Sequence, residues 1–580
     1  MGRLQNTKFA ARRFATLSII FLASASSTSL LSSGPAAEFA GLVGPADQVV
    51  SRYPSSPVAG TVFLCGGGKL PDRVYEEFHK LGGGSEGRLV VITTASMFAG
   101  TSREIYLLER WQSQGWKSVD VLHTRDRSVA ANPAFSAALR NATAVWMVGG
   151  EQHRLLESYA GTPVHEELHN MLARGGLVGG TSAGMALAGE HAIVGGVVTP
   201  RLDAGLGFIS NAIFDQHFSE RRREARLASA VAAKPGIVGF GVDERTALVI
   251  HGREMRVVGE GSVHVQLGKS PRRTEQPIRL REFMRDDLVA LSRAAIARAD
   301  GFQPAAKPQM PRVENGSLLI VGGGRMAPSI QKKFLELAGG PEAKFVVVPT
   351  AGDARRDDDV ETAWLTKAGA KNVSVVHAEN RNEAESSALL EILKSADAIW
   401  FGGGRQWRFI DAYEDTACFK AFHEVLRRGG VIGGSSAGAT IQGEYLVRGS
   451  PLNNTIMMAE GYERGFGFLP GTAVDQHFTQ RGRAPDMQRL KRTFPTLLGL
   501  GIDEATAVVV RGSELEVVGE NQVSVYKPLP DAVALAAAND SSETDGDASS
   551  TIEPEVLKPG ERYDLERFAR FTPPTSASAE

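Results

Sequence analysis

Short apolar runs alternate along the chain with stretches whose apolar residues recur every three or four positions. Thr61–Cys65, Leu89–Thr93 and Ala144–Val148 are apolar and end near Gly or Thr, which is typical of buried parallel strands. Asp72–Leu81 and Pro163–Arg174, between them, have helical spacing. This order predicts an α/β fold in which a mostly parallel, doubly wound sheet carries helices on both faces.

The pattern occurs twice. Six segments of the first half recur in the second in the same order and at nearly constant separation, which indicates domain duplication rather than a solenoid. The pairs are Leu64–Gly68 with Val321–Gly324, Trp146–Gln152 with Trp400–Gln406, Gly179–Gly184 with Gly433–Gly438, Asp215–Phe218 with Asp475–Phe478, Gly241–Glu244 with Gly501–Glu504, and Val257–Glu260 with Val517–Glu520.

These repeats predict domain 1 over residues 46–300 and domain 2 over 312–580, joined around Asp300–Pro311. Residues 529–556 are rich in Ala, Ser, Asp and Glu without periodicity, so they are predicted to be a disordered insertion. Within domain 1, Ala247–Val258 followed by Ser262–Gln266 predicts a hairpin appended to the sheet.

The N-terminal residues 1–37 have the order of a secretory signal: basic residues, an apolar run from Phe14, then small residues. They predict an exported protein, periplasmic or extracellular, without a membrane anchor in its mature form. Arg12 and Arg13 leave a twin-arginine route open. The net charge of −2 gives no reason to expect nucleic acid as a partner. Cys65 and Cys418 lie at non-equivalent positions and are predicted to be buried apolar residues.

A G-x-S-x-G pentapeptide follows an apolar strand in each half, with Ser182 and Ser436 at its centre. In this context the motif is a nucleophile elbow, a sharp strand-to-helix turn that exposes the serine. The backbone N–H groups of Ala183 and Ala437 are then predicted oxyanion donors. A second donor is predicted in the loop after the preceding strand, at Gly150 in domain 1 and at Gly404 in domain 2.

A serine needs a base, and the base needs an orienting carboxylate. His217 and His477 recur within Asp-Gln-His-Phe after an apolar run, and Glu244 and Glu504 follow 27 residues after them, again near a strand end. Strand alternation would direct only one residue of each Asp-Glu pair inward. Arginines follow each histidine, and they are either a solvated helix face or a clamp for a substrate carboxylate.

These motifs resemble the cyanophycinase and dipeptidase-E family of serine peptidases, and cyanophycinase more closely. The resemblance implies flavodoxin-like, amidotransferase-like domains, a Ser-His-Glu triad in each, and no metal or organic cofactor. Cyanophycinases release β-aspartyl-arginine dipeptides from an arginine-grafted polyaspartate, so a peptide or polymer substrate is implied. The implied substrate-binding residues are Gln152, Asp215, Gln216, Arg221, Arg223, Arg226, Gln406, Asp475, Gln476, Arg481 and Arg483.

The two halves are not identical. The segment between elbow and histidine is longer in domain 2, so the two pockets are expected to differ. Asp486 stands where domain 1 has Arg226, which is expected to weaken the arginine clamp in domain 2. Three alternatives stay open: an α/β-hydrolase esterase, which the order of histidine before acid disfavours; a dipeptidase for aspartyl or isoaspartyl peptides; and a protein in which one or both domains only bind or scaffold. Since a duplicated domain often replaces a homodimer, the halves are expected to form an intrachain pseudo-dimer.

Overall fold

The computed structural model describes residues 57–270, 276–301, 309–352, 358–529 and 552–571. The predicted signal segment and most of the predicted join therefore lie outside the described residues. Across these ranges, no helix is long and apolar enough to cross a membrane.

Each half contains one large and one smaller sheet with helices around them. The strands of domain 1 are β1 (Val58–Cys65), β2 (Arg88–Ile92), β3 (Ser118–Leu122), β4 (Ala144–Met147), β5 (Leu177–Thr181), β6 (Gly189–Gly195), β7 (Arg201–Ala204), β8 (Ile209–Gln216), β9 (Val238–Val242), β10 (Thr246–Gly252), β11 (Glu254–Gly259), β12 (Ser262–Leu267), β13 (Gln276–Arg281) and β14 (Arg285–Asp287). Its helices are α1 (Asp72–Leu81), α2 (Ile105–Gln112), α3 (Arg127–Ala130), α4 (Ala137–Asn141), α5 (Gln152–Tyr159), α6 (Pro163–Ala173), α7 (Ala183–Ala186), α8 (Glu224–Ala233) and α9 (Leu288–Asp300).

Domain 2 repeats most of these elements. Its strands are β15 (Val313–Val321), β16 (Lys344–Val348), β17 (Asn372–Val375), β18 (Ala398–Phe401), β19 (Val431–Ser435), β20 (Gly443–Tyr445), β21 (Leu469–Gln476), β22 (Leu498–Ile502), β23 (Thr506–Gly512), β24 (Glu514–Gly519), β25 (Val523–Tyr526), β26 (Glu555–Leu557), β27 (Arg562–Asp564) and β28 (Ala569–Arg570). Its helices are α10 (Pro328–Leu337), α11 (Asp358–Lys367), α12 (Ser387–Lys394), α13 (Gln406–Tyr413), α14 (Ala417–Arg427), α15 (Ala437–Thr440) and α16 (Ala484–Thr493).

The large sheet has a parallel centre. In domain 1 the order is β14-β11-β10-β1-β5-β4-β2-β3, with β1, β5, β4, β2 and β3 parallel. Alternate residues of β1 enter two cores: Val62 and Leu64 pack on one face, Phe63 and Cys65 on the other. The predicted α/β fold is thus confirmed, and the two free cysteines are both buried.

The sequence predicts only part of the second sheet. The segment Ala247–Val258 forms the hairpin β10-β11 at the edge of the large sheet, as predicted. Ser262–Gln266 does not extend that hairpin: β12 pairs with β9 in a separate sheet of order β13-β12-β9-β8-β6-β7. Domain 2 has the equivalent sheet β20-β21-β22-β25-β26. The chain of domain 1 passes between the two sheets from β5 to β6, from β9 to β10 and from β11 to β12, at turns that apolar patterning does not mark.

The predicted insertion at 529–556 extends too far at its C-terminal end. Residues 530–551 lie outside the description, but β26 pairs with β25 in register Val523 with Leu557. Ile552 also donates its backbone N–H to Gln488 Oε1 at 3.0 Å. Residues 552–556 therefore belong to the fold, because they cover an edge of the second sheet that would otherwise be unpaired.

Candidate active site

The two predicted nucleophiles occupy strained turns. Ser182 has φ 52° and ψ −113° between β5 and α7, and Ser436 has φ 54° and ψ −109° between β19 and α15. Non-glycine residues rarely adopt positive φ, and such strain is found where the surrounding fold enforces it. The flanking glycines are needed sterically, since a Cβ at Gly184 would lie 2.3 Å from the carbonyl oxygen of Met147. The turn directs each serine side chain beyond the carboxyl end of the large sheet.

The histidine and glutamate come from the second sheet. His217 directly follows β8, and Glu244 lies two residues after the end of β9, which is parallel to β8. Ser182 Oγ is 2.9 Å from His217 Nε2, and His217 Nδ1 is 2.6 Å from Glu244 Oε1.

Domain 2 reproduces this geometry. Ser436 Oγ is 3.0 Å from His477 Nε2, and His477 Nδ1 is 2.6 Å from Glu504 Oε1. Each domain therefore contains a continuous serine, histidine and carboxylate chain assembled from two sheets.

The glycines after β1 make room for this chain. A Cβ at Gly67 would lie 2.2 Å from Cε1 of His217, and one at Gly68 would lie 2.6 Å from Glu244 Oε2. Gly323 and Gly324 face His477 and Glu504 in the same way. The sequence repeat contains these glycines, but the sequence alone assigns them no function. Their recurrence in both halves is the signal that could have placed them at the site.

Burial favours the neutral form of both imidazoles. It lowers the pKa of His217 from its ordinary value of 6.5, an effect that the hydrogen bond to Glu244 partly offsets and the Arg221 charge reinforces. The pKa of His477 is lowered for the same reason, with Glu504 and Arg481 in the equivalent parts. Both rings are therefore neutral near pH 7, as a general base must be.

Of each Asp-Glu pair, only the glutamate faces the histidine. Asp243 turns the other way and accepts hydrogen bonds from the Ser219 and Ser262 amides at 3.1 and 3.0 Å. Burial raises the pKa of Asp243, but hydrogen bonds from His264 and Ser219 outweigh it and bring that pKa to about 2. Asp243 thus ties the loop after the histidine to β12.

Asp215 is fully buried and neutralised by arginines. Arg226 binds both of its carboxylate oxygens, with Nε 2.9 Å from Oδ2, and Arg223 Nη1 lies 3.1 Å from Oδ1. Arg226 is only 8% exposed. Three of the residues expected at the substrate therefore form an internal ion cluster beneath the histidine loop.

Domain 2 builds the same cluster from a different position. Arg448, in the longer segment, binds Asp475 with both contacts at 2.8 Å, and it also reaches Asp486 at 2.8 Å. Arg483 binds Asp475 as Arg223 binds Asp215. The cluster of domain 2 therefore keeps two arginines despite the change from Arg226 to Asp486, contrary to the expectation from the sequence. Its second guanidinium comes from the segment after β20 instead of the helix that follows the histidine.

The four predicted glutamines differ in their hydrogen bonds. Gln152 Nε2 donates to the Ile193 carbonyl at 3.2 Å, and Gln406 is 1% exposed. Gln216 and Gln476 are also buried. Gln476 Oε1 accepts from Arg483 at 2.8 Å, whereas Gln216 Oε1 has no hydrogen-bond partner among the described atoms.

Arg221 and Arg481 differ from the other arginines because they are exposed. Neither belongs to an ion pair within the described parts of the chain, yet each is close enough to lower the pKa of its histidine. They are the predicted arginines left available to an external carboxylate.

Two of the predicted oxyanion donors directly follow the serines: Ala183 and Ala437 begin the short helices after the elbows. In the preceding loop, the residues beside the serines are Gly149 and Gly403 rather than the predicted Gly150 and Gly404. A Cβ at Gly149 would lie 3.7 Å from Ser182 Oγ, whereas one at Gly150 would meet the Ala95 carbonyl. Among the residues the structure describes, no group of three His, Cys, Asp or Glu side chains is arranged to hold a metal ion.

The chain is similar to several known proteins. Two curated cyanophycinases, from Geminocystis herdmanii and a Nostoc species, are 34% and 35% identical to the chain over 206 and 202 residues. These alignments cover 34% and 33% of this chain and 75% and 67% of the relatives. A solved peptidase from an acI-B1 actinobacterium aligns over 44% of this chain and 98% of its own, with 23% identity and a TM-score of 0.33.

The sequence profile of peptidase family S51 matches twice, over residues 62–258 and 318–518, once in each domain. The chain therefore belongs to peptidase family S51, as a serine-type peptidase that contains the family domain in duplicate.

Proposed function

We propose that both domains hydrolyse peptide bonds through a Ser-His-Glu acyl-enzyme mechanism. The observation that carries this proposal is the hydrogen-bonded chain Ser182, His217, Glu244 and its copy Ser436, His477, Glu504. A serine within 3.0 Å of a neutral imidazole whose other nitrogen faces a carboxylate has the geometry of an activated nucleophile.

In the first step, the serine Oγ attacks the scissile carbonyl carbon and its proton passes to Nε2 of the histidine. Glu244 or Glu504 holds the proton on Nδ1 and stabilises the imidazolium. The C–N bond then breaks, and the amine leaves with the proton from Nε2. Water then attacks the acyl-enzyme with the histidine again as base. The acid product is released and the free serine is restored.

The proposed substrate is cyanophycin or a related aspartyl or β-aspartyl-arginine peptide. The curated relatives are cyanophycinases, and the exposed Arg221 and Arg481 beside the histidines offer guanidinium groups to a substrate carboxylate. The second candidate is a dipeptidase for aspartyl or isoaspartyl peptides, which the same exposed arginines would also suit.

Release from insoluble cyanophycin, with product analysis, tests this proposal. Ser182→Ala and Ser436→Ala should each remove one domain's contribution, and the double variant should lose several orders of magnitude. Ser229→Ala, in the solvent-side helix α8, is the matched control and should keep full activity. Full activity in the double variant would refute the mechanism. Activity on short aspartyl peptides alone would favour the dipeptidase.

We also propose export, based on the order of residues in 1–37. The mature chain should begin between Ser24 and Ala40, and N-terminal sequencing of periplasmic and extracellular fractions checks this. An intact leader on cytosolic protein would contradict it.

The pseudo-dimer is likewise a proposal, supported by the duplicated domain and by contacts between the halves. Arg253 Nη1 lies 2.9 Å from Asp411 Oδ2, Arg298 Nε lies 2.6 Å from Glu460 Oε1, and Arg293 Nε donates to the Gly461 carbonyl at 2.9 Å. On the domain 1 side, Arg293 and Arg298 belong to α9. No counterpart of α9 occurs in the described part of domain 2, so the pseudo-two-fold relation stays a prediction.

A further inference from the structure

The two active sites differ at one carboxylate. Trp146 and Trp400 are equivalent strand residues, and each packs on a second tryptophan, Trp111 or Trp364, with ring centroids 4.8 Å apart. Three residues before Trp111, domain 1 has Leu108, buried in the apolar core. Three residues before Trp364, domain 2 has Glu361. A half-buried acid in domain 2 therefore takes the place of an apolar side chain.

Glu361 is held by two donors at the end of β18. Its Oε2 accepts from Trp400 Nε1 at 2.9 Å, and its Oε1 accepts from the backbone N–H of Gly403 at 3.1 Å. The neighbouring glycine provides the space: a Cβ at Gly402 would lie 3.1 Å from Glu361 Oε1. Domain 1 has Val148 at that position. Domain 2 thus differs from domain 1 at both positions: it has the acid, and it has the glycine that leaves room for the acid.

Gly403 is the loop residue beside the nucleophile. A Cβ there would lie 3.6 Å from Cβ of Ser436, and the equivalent atom at Gly149 would lie 3.2 Å from Cβ of Ser182. The described hydrogen bonds of domain 1 include none from the Gly149 amide. In domain 2 the Gly403 N–H therefore donates to a carboxylate. In domain 1 the Gly149 N–H has no acceptor among the described atoms.

This difference affects the step in which negative charge develops. Attack by Ser436 Oγ moves an electron pair onto the carbonyl oxygen, and that oxygen needs N–H donors already aimed at it. Glu361 both occupies the Gly403 N–H and brings a carboxylate to the loop beside Ser436. Loss of one such donor lowers kcat by about 10²–10³-fold in a serine peptidase.

We propose that Glu361 restrains the domain 2 site by occupying its second oxyanion donor, the Gly403 N–H, so that Ser436 reacts more slowly than Ser182. Glu361 is a positioning residue in this proposal, since it acts through Gly403. The inference rests on the proposed function, because it assumes that both serines are nucleophiles.

A fluorophosphonate probe tests the restraint without knowledge of the natural substrate. In the reaction the Oγ–P bond forms, the P–F bond breaks, fluoride leaves and the serine proton passes to the histidine. Rates are followed by intact mass in full-length Ser436→Ala and Ser182→Ala chains, which isolate Ser182 and Ser436 respectively. We expect Ser436 to react at least about tenfold more slowly than Ser182.

In the Ser182→Ala chain, Glu361→Leu, which installs the domain 1 residue, should raise the rate at Ser436 at least about tenfold. Glu361→Gln should raise it less, because its amide oxygen still accepts from Gly403. Thr366→Ala, an exposed change in the same helix, should leave it unchanged. With a peptide substrate, Glu361→Leu should raise kcat rather than lower KM.

A gain in rate cannot result from misfolding. Equal rates at Ser182 and Ser436, with no effect of Glu361→Leu, would overturn this inference and leave the proposed function intact. Failure of both serines to react with the probe or with any peptide would overturn the proposed function and this inference together.

Discussion

Individual hydrogen bonds hold the histidine of each proposed triad in place. The imidazole of His217 lies between a serine on one sheet and a glutamate on the other, with contacts of 2.9 and 2.6 Å. Burial disfavours its charged form, while Glu244 favours it. The balance leaves a base that is neutral at physiological pH and can accept a proton from the serine.

The pH profile of kcat/KM should reveal this balance. With Ser436→Ala as background, its acidic limb should have a midpoint below pH 6.5, because the pKa of His217 is lowered and activity requires the neutral ring. Glu244→Gln removes the contribution that raises this pKa, so the limb should move to still lower pH while kcat falls by about 10²–10⁴-fold. Glu220→Gln, in the neighbouring loop, should leave the limb in place. A limb that moved to higher pH in Glu244→Gln would contradict the assignment.

The glycine beside the imidazole offers a steric test. A Cβ at Gly67 would lie 2.2 Å from His217 Cε1, so Gly67→Ala should displace the ring and reduce domain 1 activity by more than about 10²-fold. Gly84→Ala is the matched control, since Gly84 also has positive φ but no atom within 4 Å of the added carbon. Circular dichroism should show both variants folded. Equal activity in the two variants would refute the close approach.

At the scale of elements, the strand carrying the histidine depends on a buried ion cluster. Asp215 and Asp475 are fully buried at the ends of β8 and β21, and each needs two arginines. Domain 1 takes its second arginine from α8, and domain 2 takes it from the longer segment after β20. Both domains therefore have a second arginine at this aspartate, although the two arginines occupy different positions in the sequence.

Removing that second arginine should destabilise domain 2. Arg448→Met leaves Asp475 with one partner, and breaking a buried pair costs about 3–5 kcal/mol. Its calorimetric transition should therefore fall by roughly 6–20 °C. Asp486→Asn loses only a half-exposed contact and should cost less than about 1 kcal/mol.

The double variant Arg448→Met with Asp486→Arg recreates the domain 1 arrangement and should recover much of the loss. No recovery in the double variant, or equal losses in the two single variants, would show that Arg448 is not the arginine on which Asp475 depends.

At the scale of the whole molecule, α9 connects the two domains. Its Leu288, Leu291 and Ala294 belong to the core of domain 1. Its other side approaches domain 2 so closely that a Cβ at Gly461 would lie 2.5 Å from the Ala294 nitrogen. Arg293 and Glu414 form an ion pair there, and each is 3% exposed. The contact is thus a buried interface and not only a covalent join.

Gly461→Ala should loosen this contact. Gly461 and Gly467 both have positive φ, but a Cβ at Gly467 would meet nothing within 4 Å. Gly467→Ala therefore measures backbone strain alone, about 1–2 kcal/mol. Gly461→Ala should cost clearly more, and the calorimetric transitions of the domains should separate. Small-angle scattering should show a compact wild type and an expanded Gly461→Ala chain. Identical behaviour of the two variants would mean that the contact does not stabilise the pair.

Local sequence was sufficient for much of this protein. The duplication, the α/β alternation and the elbows at Ser182 and Ser436 follow from short-range patterns, because strand burial and tight turns restrict which residues can occupy neighbouring positions. The repeated tetrapeptide around His217, and Glu244 at a fixed distance after it, could be singled out for the same reason.

Tertiary structure alone decided how these parts meet. No local pattern shows that the histidine and glutamate lie on a second sheet, that Gly67 must be bare to admit the imidazole, or that Arg448 replaces Arg226. Nor does any pattern show Glu361 reaching Gly403. Each of these relations joins residues far apart in the chain, and it depends on which strands pair and which side chains then compete for the same buried space.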